Sequence, residues 1–184
     1  MRKILPILLI LLAFTLFADE EKKVFMVYGT DFIVNIPLPK YWNVDMDFAQ
    51  QNNINGFFYI KKYGIKNSPA GIVLTLATKP ELDSKLSEYI AYDKNNLLSY
   101  YPDAKFSEYK TDFKQDHNYI FKIYDFLEKP NGHRQLIAYL DNGSKNLVKL
   151  YIDYQNGINK EQYLMDFINC IQGLSYFNVK VNVK

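Results

Sequence analysis

Between Lys105 and Tyr154 the apolar residues recur at every second position, and three clusters of turn formers divide the stretch: Gln115-Asp116, Pro130-Asn131-Gly132 and Asp141-Asn142-Gly143-Ser144. A period of two marks strands with one buried face, and turns this short join antiparallel neighbours. The pattern predicts a four-stranded meander, with strands near Lys105 to Phe113, His117 to Leu127, His133 to Leu140 and Asn146 to Tyr154. In the last of these Val148, Leu150, Ile152 and Tyr154 share one face, and Leu147, Lys149, Tyr151 and Asp153 the other. One fully apolar face requires a cover, so helices are expected on one side of the sheet, with the other side partly open.

The rest of the chain supplies that cover. Thr78-Lys79-Pro80-Glu81 has the form of a capping box with proline in the first turn, where its missing N–H does no harm. Leu82, Leu86, Tyr89, Ile90 and Leu97 follow at helical spacing until Pro102, which predicts about six turns interrupted on the apolar side by Asp93. A second helix is expected after Asn159, with Gln162 three residues on, a stripe of Tyr163, Leu164, Phe167, Ile168 and Ile171, and Gly173 at its end. Cys170 shares the inner face with Phe167 and Tyr163 and reads as a buried small residue.

Upstream, Val24 to Tyr28 and Phe32 to Pro37 read as an opening hairpin around Gly29-Thr30, and Phe57 to Tyr63 and Gly71 to Ala77 as a second strand pair. On the Gly71 to Ala77 strand, Ile72, Leu74 and Leu76 make a bulky face, while Gly71, Val73, Thr75 and Ala77 make a small one on which a helix could pack closely. Pro37 and Pro39 break the alternation and deliver Tyr41 and Trp42 to a loop before Asn43 to Phe48. After the second helix, Phe177, Val179, Val181 and Val183 alternate with Asn178, Lys180, Asn182 and Lys184, which predicts a half-buried strand or a sheet edge awaiting one.

Arg2 and Lys3 lead into the fourteen-residue apolar run Ile4 to Phe17, and Ala18 precedes Asp19-Glu20-Glu21. This reads as a secretory signal peptide over residues 1–18, because a membrane-spanning helix needs about 20 apolar residues. Residues 19–184 are then expected to form one domain, periplasmic or secreted, with no integral membrane span once the signal is cut. No cysteine follows the apolar run to carry a lipid, and Cys170, the only cysteine, has no partner for an intrachain disulfide. Without Arg2 and Lys3 the 22 basic residues become 20, equal to the 20 acidic ones, and they occur singly or in pairs such as Lys61-Lys62. No basic stripe follows a phosphate backbone, which argues against nucleic acid as a partner.

The order of elements is a Phe32-x-Val34-x-Ile36-Pro37 strand leading to Trp42, a strand pair, a long helix, an antiparallel meander, and a closing helix carrying Phe167 and Ile171. It resembles the PsbP-like domain family, known from extrinsic proteins of photosystem II and from exported bacterial proteins of the DcrB type. The resemblance spans most of Val24 to Phe177. The closing Leu174-Ser175-Tyr176-Phe177 approximates the Ser-Phe end of many members, and the alternation to Lys184 departs from it. The resemblance implies an α+β fold, an antiparallel sheet flanked by helices in an α/β/α sandwich, with a non-enzymatic accessory or binding role. No photosystem residue set maps onto this chain position by position.

Chemistry-bearing residues are sparse. His117 and His133 each adjoin a turn and lack the spacing that places two ligands on one helical face. Asp45 and Asp47 flank Met46 and would share a face in an extended segment, but no neighbouring residue supplies the further oxygens a calcium site needs. Phosphate-cradling glycine loops, Cys-x-x-Cys and hydrolase signatures are absent from the sequence. No catalytic residue, metal or cofactor is assigned. Aromatic residues make up 16% of the chain, and tyrosine can close a core or form a contact face. The binding candidates are Tyr41 and Trp42 in their loop, and Phe177, Val179 and Val181 on a terminal strand suited to edge addition. The expected function is that of an exported binding or accessory module for an envelope or secreted protein partner. The alternatives are a small apolar-ligand carrier, with a Tyr- and Phe-lined pocket between helix and sheet, and an envelope hydrolase using Asp45 and Asp47.

Overall fold

The structure, a computed structural model, describes residues 23–29, 32–79, 81, 85–111, 119–128, 134–154 and 160–178. The expected signal peptide, Leu82, both histidines, the turns at Gln115-Asp116 and Pro130-Asn131-Gly132, Asn159, and the tail beyond Asn178 lie outside these residues.

The chain opens with β1 (Lys23–Tyr28) and β2 (Phe32–Leu38), paired antiparallel as the sequence predicts. Next come β3 (Trp42–Val44), helix α1 (Met46–Gln51) and β4 (Gly56–Ile60). A short helix α2 (Gly64–Asn67), β5 (Ala70–Thr78) and the long helix α3 (Leu86–Tyr100) follow. The meander is β6 (Lys105–Glu108), β7 (Ile120–Leu127), β8 (Arg134–Asp141) and β9 (Asn146–Tyr154), and α4 (Lys160–Gln172) and β10 (Ser175–Asn178) close the chain.

Seven strands in the order β3-β4-β5-β9-β8-β7-β6 form one fully antiparallel sheet. The β9 face of Val148, Leu150, Ile152 and Tyr154 is buried as expected. Ile152 and Leu150 sit opposite Ile72 and Leu74 of β5 on one side and Leu136 and Ala138 of β8 on the other. Tyr163, Phe167 and Ile171 of α4 join this core, as do the inward residues of β1 and β2. The opposite sheet face carries a smaller core, in which Leu86, Tyr89 and Ile90 of α3 meet Phe126, Ile137, Tyr139 and Leu147, with Ala77 of the small β5 face packed alongside. Each fully buried side chain of this size contributes about 1.5–3 kcal/mol, so helix packing outweighs helix propensity here.

Four boundaries depart from the sequence reading; the first meander strand, expected near Lys105 to Phe113, ends at Glu108. Thr78 does not cap α3. It pairs with Asn146 as the last residue of β5, Lys79 N–H donates to the Lys145 carbonyl at 2.9 Å, and the buried Lys79 ammonium lies 3.2 Å from both oxygens of Asp141. That ladder overrides the local cap, and α3 starts at Leu86, where Lys85 N–H donates to the Glu88 carboxylate at 3.2 Å. The helix is 15 residues long, about four turns rather than six. The strand expected to reach Tyr63 ends at Ile60, because the chain winds into a 3₁₀ turn over Lys61–Tyr63 and Gly64 takes a φ of 68°. Asn43 to Phe48 is not continuously extended, since Asp45 accepts from Phe48 N–H at 2.8 Å and starts α1.

The opening hairpin and the tail form a separate three-stranded sheet, β1-β2-β10, with β10 antiparallel to β2. Phe32, Val34, Ile36 and Leu38 point from β2 into the main core, and Tyr176 of β10 joins them, 5.2 Å from the Phe32 ring and 5.3 Å from Tyr119. The fold is α+β, with α3 on one side of the seven-stranded sheet and α4 and the small sheet on the other. Among the described residues no helix is long and apolar enough to cross a membrane.

Candidate functional site: an apolar sheet face and an adjoining cleft

Strand β1 is apolar on both of its faces, an arrangement that a half-exposed strand does not need. Phe25 and Val27 point inward, Phe25 meeting the Phe58 ring edge-on at 5.1 Å. Val24, Met26 and Tyr28 point outward and are 51%, 53% and 65% exposed. Strand pairing extends this face in rows, because directly opposed residues share a side. Val24 is opposite Pro37; Met26, Asn35 and Ser175 form the middle row; Tyr28, Ile33 and the half-exposed Phe177 form the third. None of the eight residues is charged. In the middle row the Asn35 Oδ1 atom is buried and accepts no hydrogen bond.

The Val24–Pro37 end of this face opens into a cleft of about 880 Å³. Lys23, Val24, Pro37, Leu38, Pro39 and Lys40 form its hairpin wall, and Asp166, Asn169, Cys170 and Gly173 form the wall made by the end of α4. Glycine at 173 lets the two walls close together, since a Cβ there would lie 2.7 Å from Pro37 Cγ.

Asp166 locks α4 to the far edge of the main sheet. It is 4% exposed; its Oδ2 accepts from Trp42 Nε1 at 2.9 Å and from the Tyr41 hydroxyl, and its Oδ1 from Gln162 Nε2 at 3.1 Å. Burial pushes this carboxyl up to about 6. One turn further along α4, burial and the Asp166 charge push the Cys170 thiol up to about 12, so it stays protonated and unreactive at neutral pH.

The sequence-derived candidates divide accordingly. Trp42 is the first residue of β3 rather than a loop residue, and it is fully buried. Its indole N–H takes the buried Asp166 acceptor and its ring meets Tyr163 edge-on at 6.5 Å, which is why it leaves the solvent. Tyr41 lies in the preceding turn, 37% exposed, with its hydroxyl on Asp166. Phe177 lies on the outward sheet face; Val179 and Val181 are outside the described residues. Asp45 caps α1 and Asp47 lies in that helix's first turn, so the two carboxylates do not share an extended face. Among the described residues no three acidic, histidine or cysteine side chains converge on a metal position.

Sequence reading missed the outward residues of β1 and the role of Asp166. The first had a signal, since five of the six residues in Lys23 to Tyr28 are apolar and leave no polar face for solvent. So did the second, since Asp166 is a carboxylate set among Tyr163, Phe167 and Cys170 on an otherwise apolar helix face.

No family model matches the chain, and no curated protein matches it in sequence. Solved structures do match in fold. One is LpqN of Mycobacterium tuberculosis, described as involved in cell envelope biogenesis, with a TM-score of 0.53 and 16% identity over 86% of this chain and 92% of that one. Another is the cyanobacterial PsbP protein CyanoP from Synechocystis, with a TM-score of 0.54 and 11% identity over 87% of this chain and 96% of that one. At these identities the likeness shows that the chain has the PsbP-like fold its sequence resembles.

Proposed function

We propose that this chain is an exported, non-enzymatic accessory protein of the cell envelope that binds a protein partner through the outer face of the β1-β2-β10 sheet. The observation that carries this reading is the charge-free face on which Val24, Met26, Tyr28 and Phe177 are each at least half exposed. Contiguous apolar surface on a soluble domain marks an interaction site, and Tyr28 and Phe177 are of the aromatic type that anchors interfaces. Among the described residues β1 and β10 each pair on one side only, which suits a partner that adds a strand. In the sequence, Val179 and Val181 keep the phase of Phe177 and would serve the same contact, with Tyr41 beside the cleft as a peripheral one. The leader-like first eighteen residues support export, and the LpqN likeness supports an envelope setting.

The test is the double substitution Met26→Glu and Phe177→Glu in the native host. Size-exclusion of gently solubilised envelope should show the wild type in an assembly larger than a single copy of the chain and the variant as a monomer. Identical elution of the two would sink the reading.

A further inference from the structure

We infer that the strand added at the β1 edge comes from a second copy of this chain. The two β1 strands pair antiparallel about a two-fold axis at Met26 and join two three-stranded sheets into one of six. The inference rests on the proposed sheet-face contact and names its partner. A long apolar strand edge is a template for pairing, and soluble domains guard such edges with charge, proline or brevity. Of the four edge strands among the described residues, β3 has three residues and β6 and β10 have four each, with Lys105 and Glu108 on β6. β1 has six, and its stretch from Val24 to Tyr28 contains neither a charge nor a proline. Among the described residues β2 is the only strand paired with it.

Self-pairing is demanding, because a two-fold axis sets a strand against its own sequence reversed. Outward residues must also meet outward ones, so the axis has to pass where one residue opposes its own copy. With that residue at Met26, Val24 falls opposite Tyr28 on the outer face and Phe25 opposite Val27 on the inner one. Both are aromatic residues against β-branched ones, a favourable cross-strand class, and no like charges meet between Val24 and Tyr28. An axis at Phe25 sets Lys23 against the buried Val27 and leaves Tyr28 unpaired, and one at Val27 pairs only Met26 to Tyr28 within the strand. The Met26 register also joins the middle rows of the two copies, Met26, Asn35 and Ser175, into one row without a charge. An edge of this length buries less than the about 800 Å² per partner of a standard interface, so the dimer is concentration-dependent.

Cysteine crosslinking of the chain purified from its host reads both the partner and the register, with the native Cys170 buried out of reach. Directly opposed residues on antiparallel strands have Cα atoms about 4.5–5.5 Å apart, within disulfide range. Under mild oxidation Met26→Cys should therefore double in mass on its own. Val24→Cys and Tyr28→Cys, each about 14 Å along the strand from its own copy, should stay single alone and crosslink when mixed. Charge supplies a second readout at these exposed positions. Met26→Lys and Met26→Glu should each sediment as a monomer where the wild type is a dimer, and an equal mixture of the two should restore the dimer. A covalent dimer from Val24→Cys alone, or Met26→Cys crosslinking no better than Tyr100→Cys at the exposed end of α3, overturns the proposal. A purified wild type that stays monomeric while its envelope assembly remains larger than one copy overturns the self-pairing alone; absence of both overturns the sheet-face contact as well.

Discussion

Replacing Asp166 by Asn keeps the size of the side chain and removes its titration, so the pair isolates what the buried carboxyl does to stability. Its pKa is pushed from 3.8 to about 6 by burial, so the folded chain holds this proton more tightly than the unfolded one. The stability it contributes is therefore fully present below about pH 3.8 and is lost as the pH rises through about 6. In a dry site a shift of this size is worth about 3 kcal/mol at ~1.36 kcal/mol per unit. The carboxyl borders a water-accessible cleft, and three donors favour its charged form, which together reduce the expected effect to ~1–1.5 kcal/mol. Urea denaturation followed by the fluorescence of Trp42, the only tryptophan, reads the site directly. The unfolding free energy of wild type minus that of Asp166→Asn should fall by ~1–1.5 kcal/mol between pH 4 and 7, the other titrating groups cancelling in the difference. A difference that stays flat, or one that rises with pH, refutes the reasoning; the second would mean that the three donors outweigh burial.

Other substitutions probe the remaining supports. Asn35→Val removes a buried oxygen that has no hydrogen bond and places a strand former in β2, so the urea midpoint should rise by the equivalent of about 1 kcal/mol. Gly173→Ala puts a methyl 2.7 Å from Pro37 Cγ and 3.3 Å from the Asn169 carbonyl, which should cost ~1–3 kcal/mol in chemical denaturation. Asp93→Ala strands the Tyr139 hydroxyl and the Lys149 ammonium, both 2.6 Å from its Oδ2, and should lower stability by ~2–3 kcal/mol. Asp93→Asn should recover part of that loss.

The meander was legible because turn formers separate its strands and because β9 alternates between a fully apolar face and a mixed one, although β8 is buried on both faces, with Leu136 and Ala138 in the main core and Ile137 and Tyr139 in the smaller one. The opening hairpin was legible from the alternation of β2. Which sheet it would join was not, since alternation specifies a face and not a partner, and β10 comes back to β2 from the far end of the chain. The capping signal at Thr78 failed because nine residues of β5 paired with β9 outweigh one local hydrogen bond. The prolines before Trp42 point to a loop; its burial is decided by Asp166, 124 positions away. At the candidate site, Phe177 could be read from the tail pattern. The face it belongs to became visible only when β1 and β2 supplied the rest of its rows.

The most direct test of the central claim is site-specific photocrosslinking in the host from a photoreactive residue placed at Met26, with Tyr100, 80% exposed at the end of α3, as the control position. The sheet-face account predicts one envelope protein joined at position 26 and nothing at position 100. No adduct at position 26, or the same set of adducts from both positions, would contradict it.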